Sequence, residues 1–195
     1  MGARPSFLRE PSATTPGWQP LLDRIDCEKD PVRRANLSIV ARHVVEEVAG
    51  NMGALMGTLV ESPEYLVWGA SDSVGPSGQD EVVDWYTRLQ SASRNRLDYV
   101  IHRVVVDENT VVTEGDFFYA ILGRDLTGFH VSEIGEALND NDFYLVGHRT
   151  TVLWPVSEDG LIEGEHIYAG ERHRVVRQLR GGEYPHLGPA SRGQA

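Results

Sequence analysis

The residues of this chain best suited to proton transfer are carboxylates and histidines on strand-like runs. Glu163 and Glu165 flank Gly164 in the run Leu161–Ala169, and His148 and Thr150 alternate in the run Phe143–Val156. Side chains two apart share one face of a strand. His43 lies on a helical run, about 120° from the centre of its apolar stripe at roughly 100° per residue. A carboxylate buried on such a face has its pKa raised by desolvation, by up to ~3–5 units when fully buried, which suits a general base near neutral pH. A neutral histidine can then donate to the oxyanion that develops. Glu114 and Asp116 form a second alternating pair on the run Thr110–Leu122 that reads as facing away from the pocket, toward solvent or a dimer face, and His102 has no evident carboxylate partner by spacing.

Other chemistries find less support. The seven histidines include no H-x-H or H-x-x-x-H pair, and His130, His148, His166 and His173 are scattered, so no metal site is expected. No phosphate loop or dinucleotide fingerprint occurs, and no cofactor is expected. The single cysteine, Cys27, excludes a disulfide within the chain and reads as an ordinary thiol of a reducing compartment. A formal net charge of −11, with Lys29 the sole lysine, argues against nucleic acid or an anionic membrane as partner. The basic residues of the Arg172–Arg180 stretch read as a solvated C-terminal segment. No apolar run approaches the ~20 residues of a membrane span, and the N-terminus lacks the apolar core of a secretory signal. The expectation is a cytoplasmic protein.

These residues must be positioned by helices that precede a sheet. Residues 1–30, rich in Pro, Ser and Thr, read as a partly disordered arm that docks through Trp18, Leu21 and Leu22. Asp30-Pro31 opens a helix as N-cap and first-turn proline, with Leu37, Val40, Ala41, Val44 and Val48 on one stripe, and Gly50 ends it. Asn51 can cap a second helix, Met52–Val60. Tyr65–Trp68 is a short strand, the loop 69–78 carries Ser71, Asp72 and Ser73, and Asp80–Leu89 is a third helix. Leu97–Val106 and Thr110–Leu122 pair as a hairpin. After an acidic connection, 123–141, with Glu133 and Glu136, come Phe143–Val156 and Leu161–Ala169, joined by Ser157-Glu158-Asp159-Gly160, a strong hairpin turn. The domain runs from 31 to 170, and 171–195 reads as a tail. Helices before an antiparallel sheet predict an α+β fold: a curved, cone-shaped, mainly antiparallel sheet on about three N-terminal helices, enclosing a ligand cavity.

The order and spacing of several segments resemble the nuclear transport factor 2-like superfamily, in its SnoaL-like and ketosteroid-isomerase-like branch. The resemblance is carried by Arg42-His43, by Gly50-Asn51-Met52-Gly53-Ala54-Leu55-Met56, by Gly78 with Glu81-Val82-Val83-Asp84-Trp85-Tyr86, and by Trp154-Pro155-Val156 with Asp159-Gly160-Leu161-Ile162. It implies a homodimer joined through the outer sheet face, where apolar residues alternate. It puts Val67, Val152 and His43 where ketosteroid isomerases carry their base, their protonated aspartic acid and their oxyanion tyrosine. Phe117, Ile167 and Gly115 fall where limonene epoxide hydrolases carry two aspartates and an arginine. Alternation from those positions nominates a lining of Tyr65, Val67, Phe117, Thr150, Val152 and Ile167, to which the adjacent Trp68 is added, with Glu165, His148 and His43 as the catalytic minority. His166 and Tyr168 face outward.

The function implied is binding of a small apolar ligand, including polycyclic ones. As an enzyme the chain would be a cofactor-independent isomerase, dehydratase (lyase) or cyclase, with Glu165 as base and His148 and His43 donating to a substrate oxygen. The alternative is a non-catalytic ligand-binding or accessory protein of the same fold.

Overall fold

The computed structural model describes residues 8–69, 75–126, 138–170 and 172–187. The loop residues Ser71, Asp72 and Ser73, the acidic residues Glu133 and Glu136, and His130 lie outside them. The elements are α1 (Gln19–Cys27), α2 (Pro31–Ala49), α3 (Met52–Met56), β1 (Leu66–Trp68), α4 (Gln79–Ser91), β2 (Leu97–Val106), β3 (Thr110–Leu122), β4 (Phe143–Pro155), β5 (His166–Ala169) and β6 (Arg174–Gln178). The sheet runs β1-β5-β4-β3-β2, with β6 also paired to β4. Among the described strands β1 and β5 pair in parallel and the other pairings are antiparallel. The α+β expectation therefore holds.

The local signals act as chemistry dictates. The Asp30 carboxylate accepts from the N–H groups of Val32 and Arg33, satisfying two donors of the first turn of α2. Gly50 closes that helix at φ 71°, in the left-handed region that favours glycine. Asn51 precedes α3 without a side-chain cap. One face of the sheet, called inner here, packs on α2 and α4 through Leu37, Val40, Val44, Val82, Tyr86, Tyr99, Val111, Val152 and Trp154, all buried.

Three readings are corrected. First, residues 161–165 leave the β4 ladder, and only His166–Ala169 forms a strand. Val156 bridges Ile162, while Leu153 faces His166, so three steps along β4 oppose four on the other strand. The extra residue is a bulge at Gly164. Here φ is 148°, and a Cβ would stand 1.8 Å from the Glu64 carbonyl oxygen. The Glu64 and Leu66 N–H groups donate to the Glu163 and Glu165 carbonyls, so the 64–66 segment clamps both sides of the bulge.

Second, Arg174–Gln178 is strand β6 against Tyr144–Gly147, not a solvated run. Arg177 pairs with Glu10 and Glu183, which joins β6 to both terminal segments.

Third, Asp116 faces away from the helices but not into water. Its side chain is 0% exposed and accepts from Arg149, from His102 Nε2 at 2.7 Å and from the Arg9 N–H. His102 thus does have a carboxylate partner, one strand away rather than along its own. Nearby, Phe118 and Leu145 are covered by Leu187 and Leu8. The outer-face apolar residues that suggest a dimer are in part accounted for by the chain's own termini. Among the described residues no helix is long and apolar enough to cross a membrane.

Candidate active site

The site begins with Glu165. The bulge at Gly164 puts both Ile162 and Glu165 on the inner side, which strict alternation would forbid, and Ile167 follows two residues on. The Glu165 side chain lies against α2 and α4 and is 6% exposed. Tyr86 on α4 donates to its Oε1 at 2.6 Å, and His43 Nε2 on α2 lies 3.2 Å from the same oxygen.

The proton positions follow from the partners. The Thr58 hydroxyl donates to the Leu55 carbonyl, so it accepts from His43 Nδ1 at 2.6 Å, and Nδ1 carries hydrogen. Tyr86 spends its single proton on Glu165, so Tyr65 donates to the Tyr86 oxygen at 2.9 Å. His43 Nε2 then faces only the oxygens of Tyr86 and Glu165, at 3.1 and 3.2 Å. One proton must lie in that gap, on the imidazole or on the carboxyl. Glu165 Oε2 has no hydrogen bond among the described residues. Burial, and then the charge of Glu165, hold the Tyr65 and Tyr86 hydroxyls well above the ordinary phenol range, so both stay protonated.

Glu165 opens on a cavity of about 140 Å3, whose apolar wall includes Val44, Leu97, Tyr99, Phe117, Tyr119 and Ile167. Its polar lining is Glu47, Tyr86, Arg94, His148, Glu165 and His173. The side chain of Glu47, one turn after His43 on α2, makes no hydrogen bond or ion pair among the described residues. Burial and the neighbouring Glu165 charge raise its pKa well above the usual carboxylate range. His148 is buried, and its Nδ1 has no hydrogen-bond partner among the described residues. Burial, with the nearby His173, pushes its pKa down to about 3, so the ring is neutral. The two imidazoles are 4.0 Å apart between centroids, and burial followed by the charge of Arg94 lowers His173 as well. Sequence spacing left these two rings scattered; the β4–β6 pairing brings them together.

The nominated lining is sorted by this geometry. Phe117, His148, Glu165 and Ile167 line the cavity. His43 is fully buried with both nitrogens engaged, Nδ1 by Thr58 and Nε2 by Tyr86 and Glu165, so it lies behind Glu165 rather than on the cavity wall. Tyr65 sits behind Tyr86. Val152 is sealed in the core, Thr150 spends its hydroxyl on the Tyr168 carbonyl, and Val67 pairs with Ile167 outside the lining. Trp68, next to Val67, points to the opposite face, where it is 42% exposed and stacks on Tyr168 at 4.7 Å. His166 packs there too. Glu47, Tyr86 and His173 were not nominated. The four-residue step from His43 to Glu47 on one helix was the signal available for Glu47.

One ligand atom each from His43, Glu47 and Glu165 lie within 4.8 Å of one another, a donor set that could hold a metal ion. The hydrogen bonds from Tyr86 and His43 already occupy Glu165 Oε1, which favours a proton over a metal there.

This architecture has solved counterparts. A SnoaL-like polyketide-cyclase-type protein from Jannaschia sp. CCS1 superposes with a TM-score of 0.53 over 73% of this chain and 90% of its own, at 16% identity. Bal32a, from a soil-derived mobile gene cassette, superposes at 0.51 over 72% and 92%, at 13% identity. The chain has the SnoaL-like, nuclear transport factor 2-like fold. No family model and no curated protein matches its sequence. At these identities the likeness fixes the architecture, and the chemistry has to be read from the cavity.

Proposed function

We propose that this SnoaL-like protein is a cofactor-independent acid–base enzyme of the isomerase, dehydratase or cyclase type. The carrying observation is a buried carboxylate fixed at one oxygen by Tyr86 and His43, with its other oxygen unpartnered, at an aromatic cavity. Glu165 Oε2 takes a proton from carbon next to a carbonyl. Glu47, its pKa raised by burial and by the Glu165 charge, is placed to offer a proton in the same space. Neutral His148, with Nδ1 unpartnered, is the ring available to a substrate oxygen. His43 orients Glu165 and holds the shared proton. The substrate is small: a cavity of about 150 Å3 admits a benzene-sized ring, so about 140 Å3 suits one ring rather than a fused polycycle.

The rival reading is a binding protein that uses the same cavity without turnover, consistent with valines at 67 and 152. Proton abstraction is directly observable. In D2O, cyclohexanone and 2-cyclohexenone should exchange their α-hydrogens for deuterium faster with the protein than without it, as followed by NMR. Binding of either ketone without exchange would favour the rival.

A further inference from the structure

Arg94 stands where two spaces meet. It lines the inner cavity and also an outer groove of about 350 Å3, and Tyr119 is shared in the same way. Its placement is built into the end of α4. Ser93 takes φ 55°, in the left-handed region rarely used by residues with side chains, and the Arg94 N–H donates to the Leu89 carbonyl at 2.7 Å. That turn reverses the chain and sets Arg94 beside Tyr119 and His173.

The two spaces differ in charge. The inner one carries the carboxyl groups of Glu47 and Glu165, whereas Arg94 is the only guanidinium among its described lining residues. The outer groove has apolar walls in Ile121, Leu122 and Phe143, and Asp125 is the one carboxylate among its described lining residues. An anionic group would be repelled from the inner end and held at Arg94, while an apolar ring would enter the aromatic part.

We propose that Arg94 binds the carboxylate of an amphipathic acid whose apolar ring fills the inner cavity. The substrate class is therefore a one-ring or short-chain carboxylic acid, oriented with its anionic end at the junction and its reacting carbon near Glu165. This rests on reading the cavity as the substrate site.

The test uses cyclohexanecarboxylate and its neutral isostere cyclohexanemethanol, with binding to the full chain followed by calorimetry. Wild type should bind the carboxylate more tightly than the alcohol. Arg94→Gln should weaken the carboxylate on the order of 10-fold or more and leave the alcohol unchanged, and Arg94→Lys should restore part of the loss. Glu165→Gln should keep carboxylate binding while losing deuterium exchange, which separates this proposal from the catalytic one. Equal binding of the two probes by wild type, no binding of either, or an Arg94→Gln protein that keeps the carboxylate affinity or loses both probes would overturn it.

Discussion

His43 Nε2 and Glu165 Oε1 lie 3.2 Å apart, joined across 122 residues of chain, and the contact needs a proton between them. Thr58 fixes the imidazole from behind, and Tyr86 fixes the carboxylate from the side. The pair is thus held from two sides at the wall of a cavity, with the second oxygen of Glu165 making no hydrogen bond among the described residues.

His148 should remain neutral well below the usual histidine range. Its folded pKa of about 3 lies below the unfolded value of 6.5. A depressed pKa gives stability that is complete above pH 6.5 and is lost as pH falls toward 3, because the unfolded chain then binds the extra proton. Ring-nitrogen NMR at pH 5 should show an uncharged His148. An imidazolium signal there would contradict its burial against His173.

Glu47 has the opposite sign. Its folded pKa is raised above 4.5, so its contribution is complete at low pH and is lost as pH rises through the folded value. Glu47→Gln should melt above wild type at pH 8, with the gap closing toward pH 4.5, while turnover falls. A melting difference independent of pH would mean that Glu47 is not held protonated.

Much of this architecture was legible from local signals. The Asp30 cap, the Gly50 stop and strands β2 and β3 lie where sequence put them, because each depends on neighbouring residues. Glu165 and His148 were found by alternation, and both line the cavity. Tertiary pairings were harder to read. His102 meets Asp116 only through the β2–β3 register, which shifts between Ile101 and Arg103. His173 meets His148 only because β6 returns to β4. Trp68 was placed in the cavity although it neighbours Val67 and so must face the other way. Glu47 was legible as the residue one turn after His43, but its importance depends on the cavity it faces.

Asp116 holds the N-terminal segment to the outer face through the Arg9 N–H, and it neutralises Arg149. Asp116→Ala removes the acceptor shared by Arg149, His102 and the Arg9 N–H and should cost about 1.5–3 kcal/mol in urea unfolding. Trypsin should also cut faster at Arg9. A change below about 0.5 kcal/mol, the range of ordinary surface substitutions, would show that the contact carries little stability.

The most direct measurement is α-deuterium exchange of cyclohexanone and 2-cyclohexenone by wild type, Glu165→Gln and Glu163→Gln, each checked for folding by melting. Glu163 lies on the far side of the bulge from the cavity-facing Glu165 and serves as the control. The account predicts that Glu165→Gln stays folded and loses on the order of 100-fold or more in exchange rate, while Glu163→Gln stays near wild type. A folded Glu165→Gln protein that exchanges deuterium as fast as wild type would contradict it.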